Sequence, residues 1–171
     1  PDLIVNPNRV PQGKYINGRF ILSSKLDLDI FPEHSSDEDI IAKDLICPHY
    51  IWDITSLVTP SILIDWTSLG FQDESSSDCS IADSANIKKG VILDTSNGPI
   101  IIDKNVTVDI GALLQGPLYI AQNSYIAPGA KIRSGNIIGK NCKVGGEVSN
   151  SIFYANSNKV HDGFIGDSFI G

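Results

Sequence analysis

From Ile102 onward every sixth residue is aliphatic: Ile102, Val108, Leu114, Ile120, Ile126, Ile132, Ile138 and Val144. Two positions before each stand Ile100, Val106, Ala112, Leu118, Ser124, Ala130, Asn136 and Cys142, mostly small or aliphatic. Residues two apart on an extended strand face the same way, so both sets point to one interior. An α-helix would turn successive members of a six-residue step by about 120°, which destroys any single apolar stripe. Short extended segments that bend every six residues, three to a turn, instead wrap into a triangular prism with stacked parallel rungs. Glycine and small polar residues fall near the bends, as in Ile138-Gly139-Lys140-Asn141 and Val144-Gly145-Gly146.

The step slips at both ends of this run. Ile81, Ile87 and Leu93 keep the six-residue spacing, but Leu93 to Ile102 is nine residues, so three extra residues around Ser96-Asn97-Gly98-Pro99 predict a bulged corner. After Val144 the phase slips again, because Ile165 lies 21 residues on, and residues 150–163 between are a candidate external loop. Phe169-Ile170-Gly171 stops in mid-rung, and a bare parallel edge is an aggregation hazard, so further coils are expected beyond it. The expected fold is mainly β: a parallel β-helix over 80–171, probed by its register alone, preceded by a small α/β segment over 1–75 that ends in a linker.

Residues 1–79 show no such step. Asn17-Gly18 inside residues 15–22 suggests a strand with a turn. Ser35-Ser36-Asp37-Glu38-Asp39 before Ile40-Ile41 suggests a capped helix, and residues 51–57 a second helix. The Ser- and Asp-rich stretch 72–80 marks a boundary.

Charge sharpens this division. Residues 1–79 carry 13 acidic and 5 basic side chains, residues 80–171 carry 7 and 8, and the net charge is −7. An acidic half joined to a near-neutral one does not suit nucleic-acid binding, which needs a basic face. Cys47, Cys79 and Cys142 are too dispersed for a metal or redox pair and odd in number, so buried thiols are expected. His34 and His49 have no partners at metal-ligand spacing. No run reaches the roughly 20 apolar residues of a membrane span and no signal peptide opens the chain, so a cytoplasmic location is expected. The chain has no methionine, even at position 1, and reads as a fragment.

Val144-Gly145-Gly146-Glu147-Val148 and residues 157–166, Ser-Asn-Lys-Val-His-Asp-Gly-Phe-Ile-Gly, resemble a family of bifunctional enzymes, UDP-N-acetylglucosamine diphosphorylase with glucosamine-1-phosphate N-acetyltransferase. Leu93-Asp94-Thr95-Ser96-Asn97-Gly98-Pro99-Ile100 resembles it too, and Asn17-Gly18-Arg19-Phe20 and Trp52-Asp53-Ile54 look like the tail of its nucleotidyltransferase domain. The resemblance implies a left-handed β-helix, a homotrimer, and acyl transfer from acetyl-CoA to an amino sugar phosphate, glucosamine 1-phosphate. It also implies a linked nucleotidyltransferase half that would use Mg2+; the Gly-rich phosphate loop that opens such domains is absent here.

On the same resemblance His161 is the general base that takes the proton of the sugar amine, a task suited to a side chain with an ordinary pKa near 6.5. Arg133 would bind the sugar phosphate, where a guanidinium can make a bidentate contact, with Lys159 and Phe164 also on the substrate. Two positions depart from the family pattern: Ser149 stands in place of a phosphate-binding lysine, and Phe164 in place of a tyrosine. The alternative is a β-helix that only trimerises a nucleotidyltransferase, with His161 holding a loop. A γ-class carbonic anhydrase would need several histidines on the prism, where only His161 lies, and an ice-binding face would need stacked Thr-x-Thr rows, which Thr107 lacks.

Overall fold

A computed structural model describes Tyr50, residues 52–68 and residues 78–171. The strand expected at 15–22 and the helix expected near 35–41 lie outside the described residues, as does Cys47.

Residues 79–170 form three parallel sheets, each one face of a prism. Face 1 stacks Cys79–Ile81, Ile100–Ile102, Leu118–Ile120, Asn136–Ile138, Ile152–Phe153 and Phe169–Ile170. Face 2 stacks Asn86–Ile87, Thr107–Val108, Tyr125–Ile126, Lys143–Val144 and Asn158–Lys159. Face 3 stacks Ile92–Asp94, Leu113–Gln115, Lys131–Ile132, Glu147–Ser149 and Phe164–Gly166. This is the parallel β-helix expected from the six-residue step, with the left hand that the family resemblance implies.

Both sets of hexapeptide positions are interior. The eight aliphatic residues from Ile102 to Val144 are buried, and so are all eight residues two positions before them. Polar members of that second set are satisfied internally, as burial demands. Ser124 Oγ donates to the Gly139 carbonyl and accepts the Cys142 N–H, while Asn136 donates to the Arg133 carbonyl and accepts the Ser151 N–H. Cys142 is a free buried thiol whose pKa burial raises, and Cys79 is a free, half-buried one.

Coil length varies along the axis. Cys79 pairs with Ile100, a coil of 21 residues, and Ile100 with Leu118 and Leu118 with Asn136, coils of 18. The three additional residues of the first coil sit at the corner foreseen from the spacing, where Asp94 accepts the Ser96 N–H and hydroxyl and Gly98 N–H bonds to the Thr95 carbonyl. The external loop expected over 150–163 does not exist: Ile152–Phe153 and Asn158–Lys159 are rungs of faces 1 and 2. The physical reason is a tightened corner. Val148 follows Val144 by four residues where Ile132 follows Ile126 by six, so the aliphatic phase shifts while pairing continues. Phe153 then stacks beneath Ile138 and Lys159 beneath Val144.

The corner between faces 1 and 2 holds a ladder of asparagines in the left-handed region, Asn105, Asn123, Asn141 and Asn156, with φ from 58° to 69°. Their amides bond in sequence up the stack at 3.1 to 3.3 Å. Asparagine tolerates that backbone better than most residues, and the amide donates upward while accepting from below.

Two helices precede the prism, α1 (Asp53–Ser56) and α2 (Val58–Ser68). Pro60 falls in the first turn of α2, where its missing N–H has no intrahelical role. Val58, Ile62 and Trp66, spaced at four residues, make a buried stripe against Ile101 of face 1, with Tyr119, Ile137 and Ile152 around it. These are the outward-pointing middle positions of face 1 strands, apolar because a helix covers them. Trp52–Gly171 accordingly forms one compact unit, and no described helix is long and apolar enough to cross a membrane.

Candidate functional site

With face 1 under α2, the residues singled out by sequence gather on face 3 and on the corner that leads into it. Face 3 presents two outward columns. One runs Ile92, Leu113, Lys131, Glu147 and Phe164; the other runs Asp94, Gln115, then Arg133 beside Ile132, Ser149 and Gly166. Arg133 and Phe164 therefore share a face, two rungs apart, roughly 10 Å at the usual strand separation of about 4.8 Å.

Arg133 does not stand alone. Its guanidinium forms an ion pair with Glu147 one rung on, with the arginine side chain 55% and the glutamate 27% exposed. The half-exposed pair stores little stability, but it fixes the direction of the guanidinium. Glu147 was invisible as a partner in the sequence, because the pairing register depends on the tightened corner after Val144. Ser149 lies next to Arg133 in register and uses its carbonyl to accept the Ser151 hydroxyl and the Asp167 N–H.

The corner between Asn158–Lys159 and Phe164–Gly166 carries His161. Its side chain is exposed and makes no hydrogen bond or ion pair among the described residues. Residues Asn158, Lys159, Val160, His161 and Asp162 line a shallow open concavity here. Phe164, 62% exposed, lays its ring over Gly166, where an added Cβ would come within 2.6 Å of the ring. His161 precedes Phe164 by three residues, and Phe164 pairs in register with Glu147, the partner of Arg133.

Lys159 is placed differently. It occupies the inward position that Val144, Ile126, Val108 and Ile87 hold in earlier rungs. Its ammonium donates to the carbonyls of Gly145 at 2.7 Å, His161 at 2.8 Å and Gly163 at 2.9 Å. An ammonium has three donors, so all are spent on the backbone.

No family model matches the chain. Over 127 residues it is 30% identical to the bifunctional protein GlmU of Thermodesulfovibrio yellowstonii. The chain is thus similar to part of that protein. The match covers 72% of the chain and 26% of that relative, so the chain spans about a quarter of the curated protein's length. Among the described residues no group of three or more His, Cys, Asp or Glu side chains is placed to hold a metal ion.

Proposed function

We propose that this β-helix transfers an acetyl group from acetyl-CoA to the amine of glucosamine 1-phosphate within sugar-nucleotide biosynthesis, with His161 as general base. In this step the amine nitrogen attacks the thioester carbonyl carbon, a C–N bond forms and the C–S bond breaks. The amine proton passes to the imidazole and CoA leaves as the thiol after taking up a proton. The observation that carries the reading is the state of His161. A histidine that merely stabilised its loop would be hydrogen-bonded, whereas this one is exposed on a corner with its side chain uncommitted among the described residues.

Arg133 supplies the fixed cation for the sugar phosphate, held in place by Glu147, and the ring of Phe164 packs against the sugar. The neighbouring chain of a homotrimer would add the acyl-CoA side of the site, and a nucleotidyltransferase domain would consume the product. The test is acetyl transfer by the intact protein and by His161→Ala. Because His161 contributes nothing to the core, the variant folds normally and loses at least about two orders of magnitude in kcat. Unchanged turnover would refute the role of His161. The competing reading, a β-helix that only trimerises a nucleotidyltransferase, draws support from Ser149 and Phe164, which remove a cation and a hydroxyl from the family pattern. Trimeric protein with nucleotidyl transfer but no acetyl transfer would establish it.

A further inference from the structure

At the earlier corners between faces 2 and 3 the chain closes the bend with its own backbone: Val91 N–H bonds to the Lys88 carbonyl, Ala112 to Asp109, and Ala130 to Ala127. The corner 160–163 makes no such bond among the described residues. The preceding corner, shortened at Gly145-Gly146, is also without one. A single ammonium replaces both, since Lys159 Nζ reaches Gly145 on one coil and His161 and Gly163 on the next. Gly146, with φ of +68°, leaves this corner open: a Cβ there would lie 2.5 Å from Nζ and 2.7 Å from the Gly163 carbonyl oxygen. The Lys159 stem is half-buried and its ammonium, at the edge of the concavity, is fully hydrogen-bonded to the backbone.

We propose that Lys159 is the positioning residue of the site, holding the backbone of the 160–163 corner so that the His161 imidazole faces the bound amine. A phosphate-binding role would require the ammonium to abandon three carbonyls, of which the Gly163 carbonyl alone keeps a printed backbone partner, the Glu147 N–H. The catalytic consequence rests on the general-base reading of His161, whereas the structural consequence does not.

Lys159→Met keeps the aliphatic stem in its inward place and removes the ammonium. In the intact protein, amide hydrogen exchange at Glu147, whose N–H bonds to the Gly163 carbonyl, accelerates at least tenfold and the His161 ring signals shift in the NMR spectrum, while exchange in coils 100–140 is unchanged. The kcat for acetyl transfer falls at least tenfold with KM for the sugar phosphate altered less than threefold, and ammonium chloride, which can re-enter between the carbonyls, restores part of it. Lys159→Arg does not rescue, because a planar guanidinium cannot aim at three convergent acceptors. Unchanged exchange and unchanged His161 signals in Lys159→Met overturn the proposal, as does a rise in KM alone, which would make Lys159 a phosphate ligand. If Lys159→Met fails to fold, Lys159→Gln, whose neutral amide is one bond shorter and cannot reach the three carbonyls together, carries the same measurements with the same expected losses. Should His161→Ala retain full turnover while Lys159→Met still loosens the corner, the general-base reading fails and the positioning of the corner stands.

Discussion

The contact between α2 and face 1 gives a prediction that can be worked in numbers. Ile62 is 3% exposed and sits between Val58 and Trp66 on the stripe that meets Ile101. Ile62→Ala removes three carbons, about 2.4 kcal/mol at roughly 0.8 kcal/mol per buried methylene. A residual cavity adds to this, at about 24 cal/mol per Å3, and the cost in rigid cores reaches about 5 kcal/mol. An 11-residue helix bound along one side can settle into the gap, so we expect about 2 to 3.5 kcal/mol of lost docking. The loss is local, because each coil of the prism contacts only its neighbours and does not depend on α2 for its own pairing.

Trp66, 6% exposed, reports the docking, and Trp52, 65% exposed, can be replaced by Phe to remove its signal. In urea, Ile62→Ala should show a red shift of Trp66 emission at lower denaturant than loss of the β signal in far-ultraviolet circular dichroism, with the two transitions coincident or closer in the parent. Leu63→Ala, on the 42% exposed side of the same helix, should move neither transition by more than about 0.5 kcal/mol. An unshifted Trp66 transition in Ile62→Ala, or an equal effect from Leu63→Ala, would refute the placement of α2 on face 1.

Three further outcomes follow from the corners. Gly116→Ala would put a Cβ 1.9 Å from the Gly98 carbonyl oxygen and 2.8 Å from that of Pro99, so backbone must move and the variant should lose more than about 3 kcal/mol, read by thermal denaturation. Asn123→Ala breaks two rungs of the amide ladder and strains a φ of 61°, whereas Asn123→Gly breaks the rungs but accepts the backbone; Ala should cost about 1 to 2 kcal/mol and Gly measurably less, and equal losses would assign the whole effect to the amide. Asp109 is held below the usual carboxylate range by the Ile110 N–H and then the Tyr125 hydroxyl, and Asp94 by the Ser96 hydroxyl, Gln115 and the Ser96 N–H. Folded pKa values below unfolded ones stabilise the protein above about pH 3.9 and lose that contribution as pH falls through the folded values. The urea midpoint should therefore drop below about pH 4, and less steeply in Asp109→Asn; an identical acid limb in that variant would exclude Asp109 as a contributor.

Much of this molecule is decided by local arithmetic in the sequence. A six-residue step from Ile102 to Val144 admits only a prism, since strand alternation fixes which side chains face inward and no helix can share that period. The bulged corner around 96–99 followed from the same count, because extra residues in a closed coil must leave it. His161, Arg133 and Phe164 could be singled out by motif, but not brought together.

Tertiary structure decided the rest where a few residues changed the phase. Two residues removed between Val144 and Val148 hid the rungs at Ile152–Phe153 and Asn158–Lys159, so a region that counted as loop is sheet. The same shift places Glu147 against Arg133 and turns Lys159 inward onto three carbonyls. The helix at 58–68 belongs with the prism only because the outward middle positions of face 1 are apolar. Periodicity specifies contacts within a coil; pairing between coils is set by register, and register is a property of the folded stack.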